Sequence, residues 1–345
     1  MKKSSAEFYG QKGVTILELL LSMTVFLIGI AAIYGVTRLA TIQKNTVNSR
    51  TDQLRSARIA LEYIRRDGLN AGFGFHRTGG NIPDNAGNTL FNMPADTDTQ
   101  RDFMTSVMAA NNVNSNLLNF GGYTDAVIFI SRDPSFNSGA LVNYTGAAAS
   151  GNAVNVTTAA NACANCSVFD VYLFESSSGT TQMMGMLTTK NSSSSVQFSP
   201  GDPLGLNQSA TGSGDAQSLL VTTAGGGTIK RVNIVSYSVT SAGVLVRKKY
   251  GNQTGLLASQ QIETRELVYG VSDFQIKYYM EDGTTVDDPS LANNGRTNQI
   301  KMNSVVQIQV SITLASDAND SQPKVTTPVV IKEFISTKNL RYEAS

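Results

Sequence analysis

From Val14 to Val36 the chain runs for twenty-three residues in which Glu18 is the only charged side chain. No other stretch restricts the fold as strongly. As a helix rising 1.5 Å per residue the run is about 35 Å long, enough to cross a hydrocarbon core of about 30 Å. Lys2, Lys3 and Lys12 precede it, so the positive-inside rule predicts a single-pass protein of the inner membrane with a cytoplasmic head and its bulk outside. An ionised carboxylate within such a run costs about 2.5–3.5 kcal/mol on insertion scales, and therefore calls for a partner. An ordinary secretory signal has a shorter apolar core followed by a small-x-small cleavage site. Here Thr37-Arg38-Leu39-Ala40 follows, a poor site of that kind. A plain signal anchor would fit the hydrophobicity but gives Glu18 no role.

The residues Gly13-Val14-Thr15-Ile16-Leu17-Glu18-Leu19 resemble the prepilin-peptidase site of type IV pilins and type II secretion pseudopilins. The resemblance implies cleavage after Gly13 and N-methylation of the new N-terminus, Val14. It also implies an assembly role for Glu18, the fifth residue of the mature chain, which would pair with the N-terminus of a neighbouring subunit. Val14 stands where this family usually has phenylalanine. The implied partners are the prepilin peptidase, other minor and major pilins and an inner-membrane assembly platform. The implied destination is a periplasmic or cell-surface pilus.

Residues 1–13 are thus expected to be a leader. Residues 14–67 are expected to form one long helix whose first part, 14–36, lies in the membrane or the filament core. Val47, Leu54 and Leu61 recur every seven residues, with Ala57 and Ile64 between them, and predict an apolar stripe. Gly68 is the expected stop. Gly29 and Gly35 weaken the helix locally or admit close packing. Residues 68–345 should then form a pilin-like, β-rich globular domain, the whole being α+β with an antiparallel sheet packed on the helix.

Residues 75–123 read as a long connection with one short helix near Asp102–Ala110. Beyond them, apolar and β-branched runs predict strands at 126–131, 153–157, 168–175, 183–188, 218–222, 230–239, 244–250, 267–281, 304–314 and 329–337. In one of these, Val306, Ile308, Val310 and Ile312 alternate with Val305, Gln307, Gln309 and Ser311. The Ser-, Thr- and Gly-rich stretch 176–228 reads as long hairpin loops. Arg65-Arg66-Asp67-Gly68-Leu69-Asn70-Ala71-Gly72-Phe73 resembles the segment after the long helix in PilW-type minor pilins. The strand runs around Ile234, Val244, Leu267, Val305 and Phe334 resemble the sheet core of PilW-type minor pilins and J-type pseudopilins. The resemblance therefore implies a PilW-type minor pilin acting in pilus initiation and assembly. A J-type pseudopilin and an adhesin module displayed on a pilus, with loops 75–123 and 176–228 as contact surfaces, are the alternatives.

Composition limits other functions. With 27 basic and 26 acidic residues the net charge is +1, which gives no basic footprint for nucleic acid. Cys163 and Cys166 form Cys-Ala-Asn-Cys and should pair as a structural disulfide in an oxidising exterior. A redox role would instead place the motif at the start of a helix after a strand. His76 is the only histidine, too few ligands for a zinc site. The acidic runs at Glu281, Asp282, Asp287 and Asp288 and at Asp317, Asn319 and Asp320 lack EF-hand spacing and read as exposed turns, with calcium the sharper alternative. Gly72-Phe73-Gly74 lacks the rest of a dinucleotide loop. No nucleophile constellation or cofactor site is expected, and the chain is read as a non-enzyme.

Overall fold

The computed structural model describes residues 13–76, 79–84, 86, 101–115, 123–207, 216–222, 225–287, 302–315 and 328–337. These fall in two compact units, one ending at Asp52 and one beginning at Gln53. A single helix, α1 (Ile16–Asn70), contributes to both.

In the first unit α1 carries large apolar side chains that are exposed, from 48% at Ile30 to 81% at Ile16. Its length and composition suffice to cross a membrane. Thr24, Thr37 and Thr41 return their hydroxyls to backbone carbonyls one turn back, so these polar side chains need no water. Val47 of the expected stripe lies here and is exposed.

In the second unit the stripe is buried. Ala57, Ala60, Leu61, Ile64 and Gly68 are enclosed, and Leu54 packs against the same core. Gly68 does not end the helix. A Cβ placed there would sit 2.9 Å from Ile335 Cγ2 and 3.4 Å from Phe129 Cζ, so the missing side chain is what lets the helix approach the sheets. The chain turns only after Asn70, through Gly72 at φ +81°, whose N–H reaches Ile130 O at 2.9 Å. A left-handed residue just past the helix is the usual glycine terminator.

The strands are β1 (Gly80–Ile82), β2 (Asp102–Met104), β3 (Val107–Ser115), β4 (Tyr123–Arg132), β5 (Val142–Ser150), β6 (Ala153–Thr158), β7 (Val171–Ser176), β8 (Gln182–Met186), β9 (Thr189–Ser192) and β10 (Ser195–Phe198). After a short helix α2 (Ala216–Thr222) come β11 (Gly227–Val239), β12 (Leu245–Tyr250), β13 (Ile262–Val268), β14 (Val271–Met280), β15 (Thr285–Val286), β16 (Val305–Leu314) and β17 (Val329–Ser336). Among the described residues thirteen strands make one branched sheet centred on β11, and β15-β14-β16-β17 make a second. All pairings are antiparallel except the single contact of β1 with β8. One core lies between α1, the β3-β4-β11-β12 face and the smaller sheet. The sheets are also tied through Asp125, which accepts Ile276 N–H at 2.8 Å and Asn112 N–H at 3.1 Å.

Several expectations are corrected. The segment 102–110 is not helical. Met108, Ala109 and Ala110 are all buried in a strand covered on both faces, and such a continuous apolar run carries no alternation to distinguish it from a helix. Residues 218–222, expected as a strand, lie in α2, where Thr222 Oγ1 returns to Ser218 O. The run 267–281 is divided by Gly270 at φ +73° into the ends of β13 and β14. The region 176–228 contains β8, β9, β10 and α2 besides turns. Alternation holds from Val310 to Leu314, but Gln309 is buried beside Ile308 and Val310, and a register shift between Tyr279 and Met280 puts Val305 inside as well, as a bulge does.

Candidate functional site

Thr15 stands just before the first residue of α1. Its hydroxyl oxygen accepts Glu18 N–H at 3.3 Å and its O–H lies 3.5 Å from Glu18 Oε2. Thr15-Ile16-Leu17-Glu18 therefore has the spacing and the main contact of a capping box, which starts the helix and satisfies one of its orphan N–H groups. A carboxylate in the first turn also complements the positive end of the helix. Glu18 thus has a local duty that its solitary charge did not disclose; the Thr-x-x-Glu spacing was the available signal. Gly13 and Val14 lie immediately ahead, both exposed.

Further along α1, Asp67 turns from the helix to the sheet. Its Oδ2 accepts Tyr237 O–H at 2.5 Å and Arg247 Nε–H at 2.8 Å. Burial, and then the charge of Asp67, hold the Tyr237 phenol far above its ordinary range. Tyr237 also meets Phe129 edge-on at 6.1 Å. One turn earlier Tyr63 lies between the Arg66 and Arg265 guanidiniums, each 5.1 Å from its ring centre. These contacts tie the helix to β11, β12 and β13.

Cys163 and Cys166 form a disulfide, and both are 2% exposed. They sit in the turns between β6 and β7, not at a helix start. Cys163 N–H reaches Ser193 O at 2.8 Å, and Lys190 Nζ donates to Ala164 O and Cys166 O at 2.7 and 3.0 Å. The sulfurs join a core containing Phe136, Tyr172 and Phe198. Nearby, Arg231 bridges Asp133 at 2.7 Å and Asp170 at 3.3 Å and lies 4.8 Å from the Phe136 ring centre. This is structural reinforcement with buried sulfurs, an arrangement unlike an accessible redox pair.

Among the described residues no three His, Cys, Asp or Glu side chains cluster as metal ligands. Asp282 accepts the N–H and hydroxyl of Thr284 within its own turn. Asp288, Asp317, Asn319 and Asp320 lie outside the described residues, as do Lys2, Lys3 and Lys12.

A long apolar N-terminal helix leading into a mostly antiparallel β domain is the α+β layout of pilin-like proteins. The family model described as the Prokaryotic N-terminal methylation motif matches residues 9–34, which span Gly13, Val14 and Glu18. The chain is accordingly type IV prepilin-like at its N-terminus, in a motif family that is structural, and its helix is consistent with membrane anchoring. No curated protein matches the chain in sequence.

Proposed function

We propose that the protein is a PilW-type minor pilin that takes part in initiating and assembling a type IV pilus. In this reading residues 1–13 are the leader, removed after Gly13, and Val14 is N-methylated. The helix is drawn from the inner membrane into a filament, with residues 14–36 against other pilin helices, while residues 68–345 form the globular domain. The reading is carried by the placement of Glu18. It is the one carboxylate of the exposed apolar run 14–36, four residues from the position where cleavage creates an ammonium group, inside the matched motif. Two terms favour assembly: burial of the apolar surface of α1, and neutralisation of Glu18 by the N-terminus of an adjacent subunit. An ion pair withdrawn from water sets register more than it adds net stability.

Glu18→Gln tests this, because the amide keeps the shape of the capping box and removes the charge. In the host, leader removal should persist while incorporation into filaments falls to background. Normal incorporation of the variant would defeat the assembly role. A J-type pseudopilin shares the same layout. Loss of protein secretion with intact surface pili in a deletion strain would favour it over the pilus reading.

A further inference from the structure

Phe129, Val235, Lys249 and Glu263 stand side by side across β4, β11, β12 and β13. The neighbouring row, Val127, Tyr237, Arg247 and Arg265, lies under α1, where Asp67 holds Tyr237 and Arg247. α1 packs onto Phe129 at Gly68 and stops at Asn70, so the outer end of the first row, half-buried Lys249 and exposed Glu263, is left uncovered. The chain then crosses to β4, where Arg132 N–H bonds Phe73 O at 2.8 Å. The result is a cleft of about 510 Å³ whose floor is Phe129 and Val235. Asn70 and Phe73 line it, as do Arg132 and Pro134. The volume is within the range of small-ligand sites.

The cleft is rich in donors. Lys249 has no hydrogen bond or ion pair among the described residues, although Glu263 lies opposite it in register. Glu263 instead accepts a bond from Gln253 at 3.4 Å. The Asp67 carboxylate is occupied by Tyr237 and Arg247, and the Asn233 carbonyl oxygen by Asn252, which leaves the Asn233 amide to donate. At the mouth Phe73 is 47% exposed and Pro134 is exposed beside it. An extended peptide would bring backbone N–H groups to a cleft whose two carboxylates, Asp67 and Glu263, already accept bonds. A polyhydroxylated ring with a carboxylate brings acceptors for the donors and a C–H face for the phenyl ring.

We propose that this cleft binds a uronic-acid unit of an acidic saccharide. The carboxylate is held by Lys249 and by the guanidinium N–H groups of Arg132 that are not given to Gly139 O, the ring hydroxyls by Asn233, Asn70 and Ser131, and the apolar ring face by Phe73. Charge-assisted bonds supply the discrimination, being about twice as strong as neutral ones. The proposal rests on the second unit alone and stands whether or not the chain assembles into a filament.

The test is ligand-observed saturation-transfer NMR on the full chain in non-ionic detergent, with D-glucuronate, D-glucose and benzoate as probes. D-glucuronate should bind with a dissociation constant on the order of 1 mM, as expected of so small a ligand, and D-glucose about tenfold more weakly. Lys249→Gln should weaken D-glucuronate about tenfold and leave D-glucose unchanged. Phe73→Ala, at an exposed position, should weaken both sugars. Equal binding of the two sugars, or binding of benzoate without D-glucuronate, would overturn the proposal. So would undiminished D-glucuronate binding by a folded Lys249→Gln protein, or no saturable binding at all.

Discussion

Replacing Asp67 by Asn removes one charge from a place where two donors converge on a single oxygen. Tyr237 and Arg247 approach Asp67 Oδ2 at 2.5 and 2.8 Å, and the side chains of Asp67 and Arg247 are 13% and 16% exposed. Removing one member of a fully buried ion pair costs about 3–5 kcal/mol. Partial exposure places this case lower, and the Asn carbonyl still serves one donor, so the expected loss is about 2 kcal/mol. The assay is urea unfolding of the full chain in non-ionic detergent, followed by tyrosine circular dichroism, since the chain has 12 Tyr and no Trp. Arg247→Met and the double variant complete a cycle. The two changes should couple by about 1–2 kcal/mol, because once Arg247 is gone Asp67 has less to satisfy. A loss below about 0.5 kcal/mol, or strict additivity in the cycle, would refute the claim that this contact fastens α1 to the sheet.

Two further changes probe the packing. Burial, opposed by the N–H groups of Asn112 and Ile276 and reinforced by Asp273 and Asp287, pushes Asp125 up to about 6. The folded protein therefore holds this proton more tightly than the unfolded chain. Its contribution to stability is complete below the unfolded value and is lost as pH rises through about 6, amounting to about 1.4 kcal/mol between pH 5 and pH 8. Asp125→Asn should remove that component from the pH dependence of urea midpoints, and an unaltered profile would contradict the sign. At Gly68, Leu should cost about 1–3 kcal/mol by overpacking against Ile335 and Phe129. Ala should stay within about 1 kcal/mol of the parent, its helix propensity offsetting the tight contact. Equal tolerance of both in thermal melts would show that the approach is not close.

What could be read from the residues followed from their periodicity. The membrane-length helix, its continuation through Leu61 and Ile64, and most later strands announce themselves by period or by β-branched runs. The strands missed are of two kinds: Met108–Ala110 is buried on both faces, where alternation vanishes, whereas β5, β9, β10 and most of β13 are exposed or half-buried and short of long apolar runs. The α2 segment is too short for periodicity to separate helix from strand. Gly68 was misread because a glycine that permits close packing and one that ends a helix are the same letter; only the approach of Ile335 tells them apart. The motif around Gly13 and Glu18 was legible as a resemblance, whereas the cap made by Thr15 was not drawn from the same letters. The Asp67–Tyr237–Arg247 contact joins residues up to 180 positions apart and leaves no local trace. The cleft is also non-local: its lining runs from Asp67 and Asn70 at the end of α1 to Glu263 on β13.

The most direct test is mass spectrometry of the mature N-terminus in protein taken from its host. The N-terminal peptide should begin at Val14 with one added methyl group. An N-terminus retaining residues 1–13, or one created beyond the apolar run, would contradict the assignment of Glu18 as an assembly charge and with it the pilin reading.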